Sequence, residues 1–314
     1  MERFDDYVER CLYDPTAGFY ASGRGIAGRR SGDFITSPEV GPLFGAVLAN
    51  ALDAWWIELG QPNPFTVIDA GAGPATLLRA IQRAEPRCAE ALTVLAVDPA
   101  LGTELPNDLS GAVVLANELL DNLPFRIGVR EPDGWAEVFV ADREPVLQPA
   151  TPEFATPGLD EVAPGDRVPV LEQANRYVQE LLKRGAARVL VFDYGTLTTR
   201  ELGERGGWLR TYRNHQRGDN PFLEPGQWDI TTDIAVDQLP EPSEVTTQAA
   251  FLRHWGIEQL VNDGAAYWRA NAATPDVQAM LMRSRVAESE ALLDPDGLGN
   301  WLCLLWRTEP DQSD

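Results

Sequence analysis

The sequence predicts an α/β fold of the Rossmann-like kind, a mostly parallel, twisted sheet with helices on both faces. Three observations predict it. Short apolar strands alternate with amphipathic helical stretches between residues 61 and 195. The first strand runs into Thr66-Val67-Ile68-Asp69-Ala70-Gly71-Ala72-Gly73, so an acid at its end is followed by two alternate glycines and then a helix-like run. The stretch Val189-Leu190-Val191-Phe192 is apolar throughout, as a strand covered on both faces must be.

The elements follow in chain order. Residues 1–38, rich in Gly, Arg and Asp, read as a short helix and an ordered loop. Residues 39–59 read as a helix because Phe44, Val47, Leu48, Ala51, Leu52 and Trp55 recur at i, i+3, i+4 spacing, with Gly60 and Pro62 as the stop. Phe65–Ala70 is a strand, 75–84 a helix and Leu92–Val97 a second strand ending at Asp98. A third strand, 113–116, leads into Asn117-Glu118. Residues 125–131 and 135–140 flank Pro132-Asp133-Gly134 and read as a hairpin. Residues 145–168 are Pro-rich and read as an irregular excursion, 171–183 as a helix, and 188–192 as a strand ending at Asp193-Tyr194-Gly195. Glycines, prolines and polar aromatics break the pattern over 196–245, which reads as an insertion over the sheet's C-terminal edge. Helical stretches fill 248–293, and 299–306 is the last strand. The expected organisation is an N-terminal segment, 1–60, closing the cofactor site; a core of 61–195 and 246–314; and a substrate-covering insertion, 196–245.

Composition narrows the function. The chain has 314 residues, 44% hydrophobic, and a formal charge of −22. Phosphate backbones are repelled by such a charge, so no nucleic-acid partner is expected, whereas a cationic substrate is attracted. No apolar run approaches the roughly 18 residues of a membrane span. The three cysteines form no close pair and there are only two histidines, so neither a disulfide framework nor a Cys/His metal site is expected. The acidic opening, Met1-Glu2-Arg3-Phe4-Asp5-Asp6, lacks the pattern of a leader, which makes the expected location cytoplasmic.

A dinucleotide fold carries G-x-G-x-x-G, but here the turn reads Gly71-Ala72-Gly73-Pro74-Ala75-Thr76. The last glycine is missing, and Pro74 removes an N–H that a pyrophosphate would use. S-adenosyl-L-methionine, which has no pyrophosphate, suits the turn better. Asp98 can accept its ribose hydroxyls and Asp69 can face its ammonium group. Asn117-Glu118-Leu119-Leu120-Asp121-Asn122-Leu123-Pro124 follows a central strand, where polar side chains project into the ligand crevice.

With these elements in place, the sequence resembles the MidA family of class I methyltransferases nearly end to end. The resemblance is carried by Cys11-Leu12-Tyr13-Asp14-Pro15 with Gly18-Phe19-Tyr20, by Gly32-Asp33-Phe34-Ile35-Thr36-Ser37-Pro38-Glu39, and by the glycine turn. It continues through Asn117-Glu118 with Asp121, Asp193-Tyr194-Gly195, Leu209-Arg210-Thr211-Tyr212-Arg213 with His215, and Pro225-Gly226 with Asp229-Ile230-Thr231. Asp69 and Ala75 depart from the family's usual Glu and third Gly, and the stretch between Asp193 and Trp208 diverges. The resemblance implies an S-adenosylmethionine-dependent methyltransferase releasing S-adenosylhomocysteine, in a family that includes a mitochondrial arginine methyltransferase of respiratory complex I assembly. It places the Thr36-Ser37 loop over the cofactor.

Methyl transfer is an in-line displacement, so alignment of a nucleophile with the methyl carbon dominates. If the acceptor is a guanidinium, carboxylates must hold its other nitrogens, and Glu118 and Asp121 are the candidates. Asn117 would help place the sulfonium. His215 is a candidate for proton removal, and Asp193, Tyr212 and Asp229 for the acceptor channel. The acceptor itself is an arginine of a protein or, alternatively, a small molecule; a non-catalytic assembly factor is a third reading. The aromatics Trp55, Trp56, Trp255 and Trp301 are expected in the core.

Overall fold

The computed structural model describes residues 1–20, 36–98, 102–151, 154, 156–214 and 216–308. Its centre is a six-stranded sheet: β1 (Phe65–Ala70), β2 (Leu92–Val97), β3 (Val113–Asn117), β4 (Arg188–Asp193), β5 (Glu244–Thr247) and β6 (Leu302–Arg307). The spatial order is β5-β6-β4-β3-β1-β2. β2, β1, β3 and β4 are mutually parallel, β6 runs antiparallel to β4, and β5 antiparallel to β6. The Rossmann-like expectation is therefore met.

Strand alternation assigns the two faces. Val113, Leu115, Leu190, Phe192, Cys303 and Leu305 belong to one apolar cluster, whereas Val114, Ala116, Val189, Val191 and Leu304 belong to the other. The helices are α1 (Phe4–Tyr13), α2 (Ser37–Val40), α3 (Pro42–Glu58), α4 (Thr76–Arg83), α5 (Glu172–Lys183), α6 (Thr199–Arg205), α7 (Gln248–His254), α8 (Ile257–Asn271) and α9 (Val277–Leu292). Residues of α3, α4, α7, α8 and α9 pack on the first face; those of α1, α5 and α6 pack on the second.

The stretch expected as one helix over 39–59 is two. Pro42 disfavours helical backbone at Gly41, and the chain restarts with Pro42 in the first turn of α3. The buried Glu288 of α9 accepts from the Leu43 N–H at 2.8 Å and satisfies that new helix start. Residues 145–168 are also more regular than expected. Glu144–Pro149 pairs with Gly134–Ala141, and Arg167–Val170 with Arg126–Glu131, in a separate antiparallel sheet that also takes in Glu2–Arg3. Pro145, Pro149 and Pro169 fit there because both strands pair on one side only, so no ladder donor is missed. The hairpin Arg126–Glu131/Gly134–Ala141 is as expected.

The chain goes outward from β1 to β2 and then returns to the far side of β1 to form β3. That reversal opens a crevice at the carboxyl ends of β1 and β3, the place where open α/β sheets bind ligands. Leu209–Arg213, Gln216–Gly218 and Asp229–Thr232 form a three-stranded sheet. It sends Arg210, Tyr212, Asp229 and Thr231 into the same cavity.

Candidate active site

A cavity of about 1020 Å³ occupies this crevice. Its cofactor side is made largely of backbone. Gly71, Gly73 and Ala75 all have left-handed φ, at +75°, +46° and +54°. Glycine suits Gly71 because of its φ, while a Cβ there would stand 3.0 Å from Leu119 Cδ1 and only press on that side-chain tip. Ala75 replaces a third glycine yet keeps the same backbone, at a cost of about 1–2 kcal/mol. The N–H groups of Gly71 and Ala72 donate to Val97 O, and that of Gly73 donates to Asp98 Oδ2 at 3.0 Å. Asp98 thus fixes the glycine turn with one oxygen.

Asp69, at the end of β1, is 4% exposed and lines the cavity. Burial, with a smaller contribution from the Asp98 charge, pushes its carboxyl up to about 7.

On the acceptor side the groups are side chains. Glu118 leaves β3 with φ +52°, a strained conformation for a residue other than glycine, while its N–H still donates to Phe192 O at 2.8 Å. Its carboxylate accepts from Asn117 Nδ2 at 2.9 Å and from the Ser37 N–H. Burial, and then the neighbouring Asp121, raise the Glu118 carboxyl well above the usual range. Asp121, 2% exposed, accepts a hydrogen bond from Tyr194 Oη on Oδ2, while its Oδ1 is buried without a partner. Burial pushes its carboxyl up to about 6, against the lowering effect of the Tyr194 hydroxyl and the Arg210 charge. Asn117 Oδ1 is likewise buried and unpartnered. Asp229, 2% exposed, accepts from Tyr20 Oη at 2.9 Å and Asn122 Nδ2 at 3.0 Å. Tyr13 stacks on Tyr20 with ring centroids 5.6 Å apart and donates to Asn122 O.

Of the residues expected from sequence, Thr36, Asp69, Gly71, Gly73, Asp98, Asn117, Glu118, Asp121, Tyr212 and Asp229 line this one cavity. Asp193 and Ser37 lie behind it. Asp193 is fully buried, and its oxygens accept the N–H groups of Leu120, Asp121 and Tyr194, so it shapes the loop that carries Asp121. Ser37 Oγ donates to Gln248 Oε1 at 2.7 Å and ties α2 to α7. His215 and the Gly32-Asp33-Phe34-Ile35 part of the opening motif lie outside the described residues. Trp301, expected in the core, instead lines the cavity edge-on to Tyr194 at 5.5 Å. Sequence reasoning passed over Tyr13, Tyr20, Tyr194 and Arg210 as site residues. All four stand inside motifs that carried the resemblance, which was the available signal.

A parallel sheet with this strand order, a glycine turn on β1 and an acid after β2 is the arrangement of class I S-adenosylmethionine-dependent methyltransferases. Residues 103–253 match the family model Methyltransf_28, described as "Putative S-adenosyl-L-methionine-dependent methyltransferase". A crystal structure of a COG1565 superfamily member and likely methyl transferase from Burkholderia thailandensis, bound to S-adenosyl-homocysteine, superposes with a TM-score of 0.78 at 23% identity, covering 98% of this chain and 87% of that one. Both findings agree with the resemblance of the sequence to the MidA family. The chain's curated relatives include the protein arginine methyltransferase NDUFAF7, mitochondrial, of Bos taurus, 29% identical over 81% of this chain and 69% of that protein. The human protein of that name is 28% identical over the same shares. The Drosophila melanogaster homologue is 27% identical over 73% of this chain, and the match spans 63% of its length, less than two thirds. These relatives are mitochondrial proteins, which overturns the expectation of a cytoplasmic location; that expectation rested on the acidic opening residues alone. Among the described residues no helix is long and apolar enough to cross a membrane, and no cluster of His, Cys, Asp and Glu could hold a metal ion.

Proposed function

We propose that this methyltransferase acts on an arginine side chain of a protein. One observation carries the reading: two buried side-chain oxygens of the cavity wall accept no hydrogen bond among the described residues. Asn117 Oδ1 and Asp121 Oδ1 are buried near the Glu118 carboxylate, without partners among the described residues. Buried oxygens of this kind cost about 1–3 kcal/mol each until something donates to them. A guanidinium brings five N–H donors in a flat fork and a positive charge. The names of the curated relatives support the same choice.

The residues present fit the cofactor. The open left-handed turn at Gly73, where a Cβ would meet nothing within 4 Å, leaves room for its amino-acid end. Asp98 stands beside that turn for the ribose, and Asp69 faces the same cavity for the ammonium group. When bound, the cofactor supplies an electrophilic sulfonium methyl. Glu118 and Asp121 would grip two nitrogens of the acceptor and direct the third toward the crevice, a matter of positioning. Thr36 would close the pocket from the N-terminal side, while Tyr212 and Asp229 would line the path by which the acceptor enters.

The test is transfer of labelled methyl from S-adenosylmethionine into a cell extract, followed by acid hydrolysis of the protein fraction. Label in methylarginine is expected. Label confined to small molecules would overturn the reading and favour a small-molecule acceptor.

A further inference from the structure

Tyr194 touches four side chains around the cavity: Asp121, Thr231, Arg210 and Trp301. Its hydroxyl donates to Asp121 Oδ2 and lies 2.8 Å from Thr231 Oγ1. Its ring carries the Arg210 guanidinium on its face, 4.3 Å from the centroid, and meets Trp301 edge-on. Arg210 is in turn held by Asp233, which also pairs with Arg205. We propose that Tyr194 is a positioning residue for the acceptor. It pins one oxygen of Asp121, leaves the other for the incoming guanidinium, and seats Arg210 where its charge balances that carboxylate. The inference rests on the arginine reading above.

A bare Asp121 would be a poor partner for a cation. It is buried, and charged or titratable groups face it from several elements: Tyr13 and Tyr20 from the N-terminal segment, Glu118 before it, Asp193 beneath it, and Arg210 opposite. Asp229 lies across Asn122. Three of these groups are carboxyls, and only Arg210 opposes their charge. The Tyr194 hydroxyl and the Arg210 charge both favour ionised Asp121. Removing either therefore raises the pH at which Asp121 takes up a proton, and the proton competes with the guanidinium. Burial and the neighbouring Asp121 also hold the Glu118 carboxyl well above the usual carboxylate range.

The probe is N-acetyl-arginine amide, titrated calorimetrically into full-length protein saturated with S-adenosylhomocysteine across the acid-to-neutral range. In the unaltered protein the lower limb of probe affinity falls near pH 6. In Tyr194→Phe and in Arg210→Gln that limb moves to higher pH, and at pH 6 affinity drops roughly tenfold, the scale of one hydrogen bond to a charged group. Arg210→Lys, which keeps the charge, restores part of the loss. S-adenosylhomocysteine affinity stays unchanged in every variant and reports that the fold is intact. Probe binding by the unaltered protein with an identical pH profile in Tyr194→Phe and Arg210→Gln would overturn the positioning role alone. No probe binding by the unaltered protein would overturn the arginine reading and this inference with it.

Discussion

The two halves of the cavity are built in opposite ways. The cofactor half is backbone at the edge of a regular sheet: a glycine turn hung from β2 by N–H groups and braced by one acid, Asp98. The acceptor half is side chains drawn from α1 and the loop after it, the 117–124 loop, the end of β4 and the Leu209–Arg213 and Asp229–Thr232 strands. The first half can be rigid before any ligand arrives, because strand pairing fixes it. The second holds the Glu118 and Asp121 carboxyls, whose ionised form burial disfavours. If the proposed roles hold, affinity for the cofactor and choice of acceptor should be separable properties of this fold.

The sharpest way to break that separation is Glu118→Ala. We expect turnover to fall by at least about two orders of magnitude, the scale of a lost transition-state contact, while S-adenosylhomocysteine titrates as before. Retained turnover would remove Glu118 from the mechanism. Altered cofactor affinity would show that the halves are not independent. The complementary substitution is Asp98→Ala. Its loss strips a partner from the Gly73 N–H as well as from the ribose, and should raise the cofactor Kd by about 1–3 kcal/mol, roughly 5- to 150-fold. An unaltered Kd would refute the ribose assignment.

A smaller effect is expected from Tyr20→Phe. It removes one hydrogen bond to Asp229 but keeps the ring stacked on Tyr13. Acceptor KM should rise roughly three- to tenfold with cofactor affinity unmoved. A change in cofactor affinity instead would place the tyrosine pair in the other half.

The same contrast explains what the sequence could reveal. β1 and β2 were legible to the residue, because apolar runs bounded by turn residues leave little freedom in an α/β sheet. The glycine turn and Asp98 were legible because their spacing along the chain reproduces their spacing in space. Glu118 and Asp121 were legible as polar residues facing the crevice from a loop after a central strand. Tyr194 and Tyr20 were not, since nothing local distinguishes a phenol that reaches a distant carboxylate from one that packs. The Asp193 side chain misled for the opposite reason: an acid at a strand's C-terminal end looks like a ligand group, yet three backbone N–H groups claim it. Residues 145–168 misled because proline argues against central strands but not against edge ones.

The smallest effect, and the one that tests the cofactor half from inside, is Asp69→Asn. Burial raises the folded Asp69 carboxyl from an ordinary value near 3.8 to about 7, so at neutral pH it is only about half ionised. Replacing it should therefore weaken cofactor binding only a few-fold at pH 7, and more at higher pH, where the unaltered protein is fully charged. Without cofactor the sign reverses. A carboxyl whose folded value lies above its unfolded one binds extra protons in the native state, so it costs stability as pH rises from 3.8 through about 7. The asparagine variant escapes that cost. Its apo Tm should match the unaltered protein in acid, pull ahead as the pH approaches 7, and keep a lead of at least about 2 °C beyond it. Saturating S-adenosylhomocysteine should erase the lead, because the ammonium group then pairs with the charge that burial penalises. A lead that persists with cofactor bound would mean that Asp69 does not meet the ammonium, and that the turn alone holds the amino-acid end.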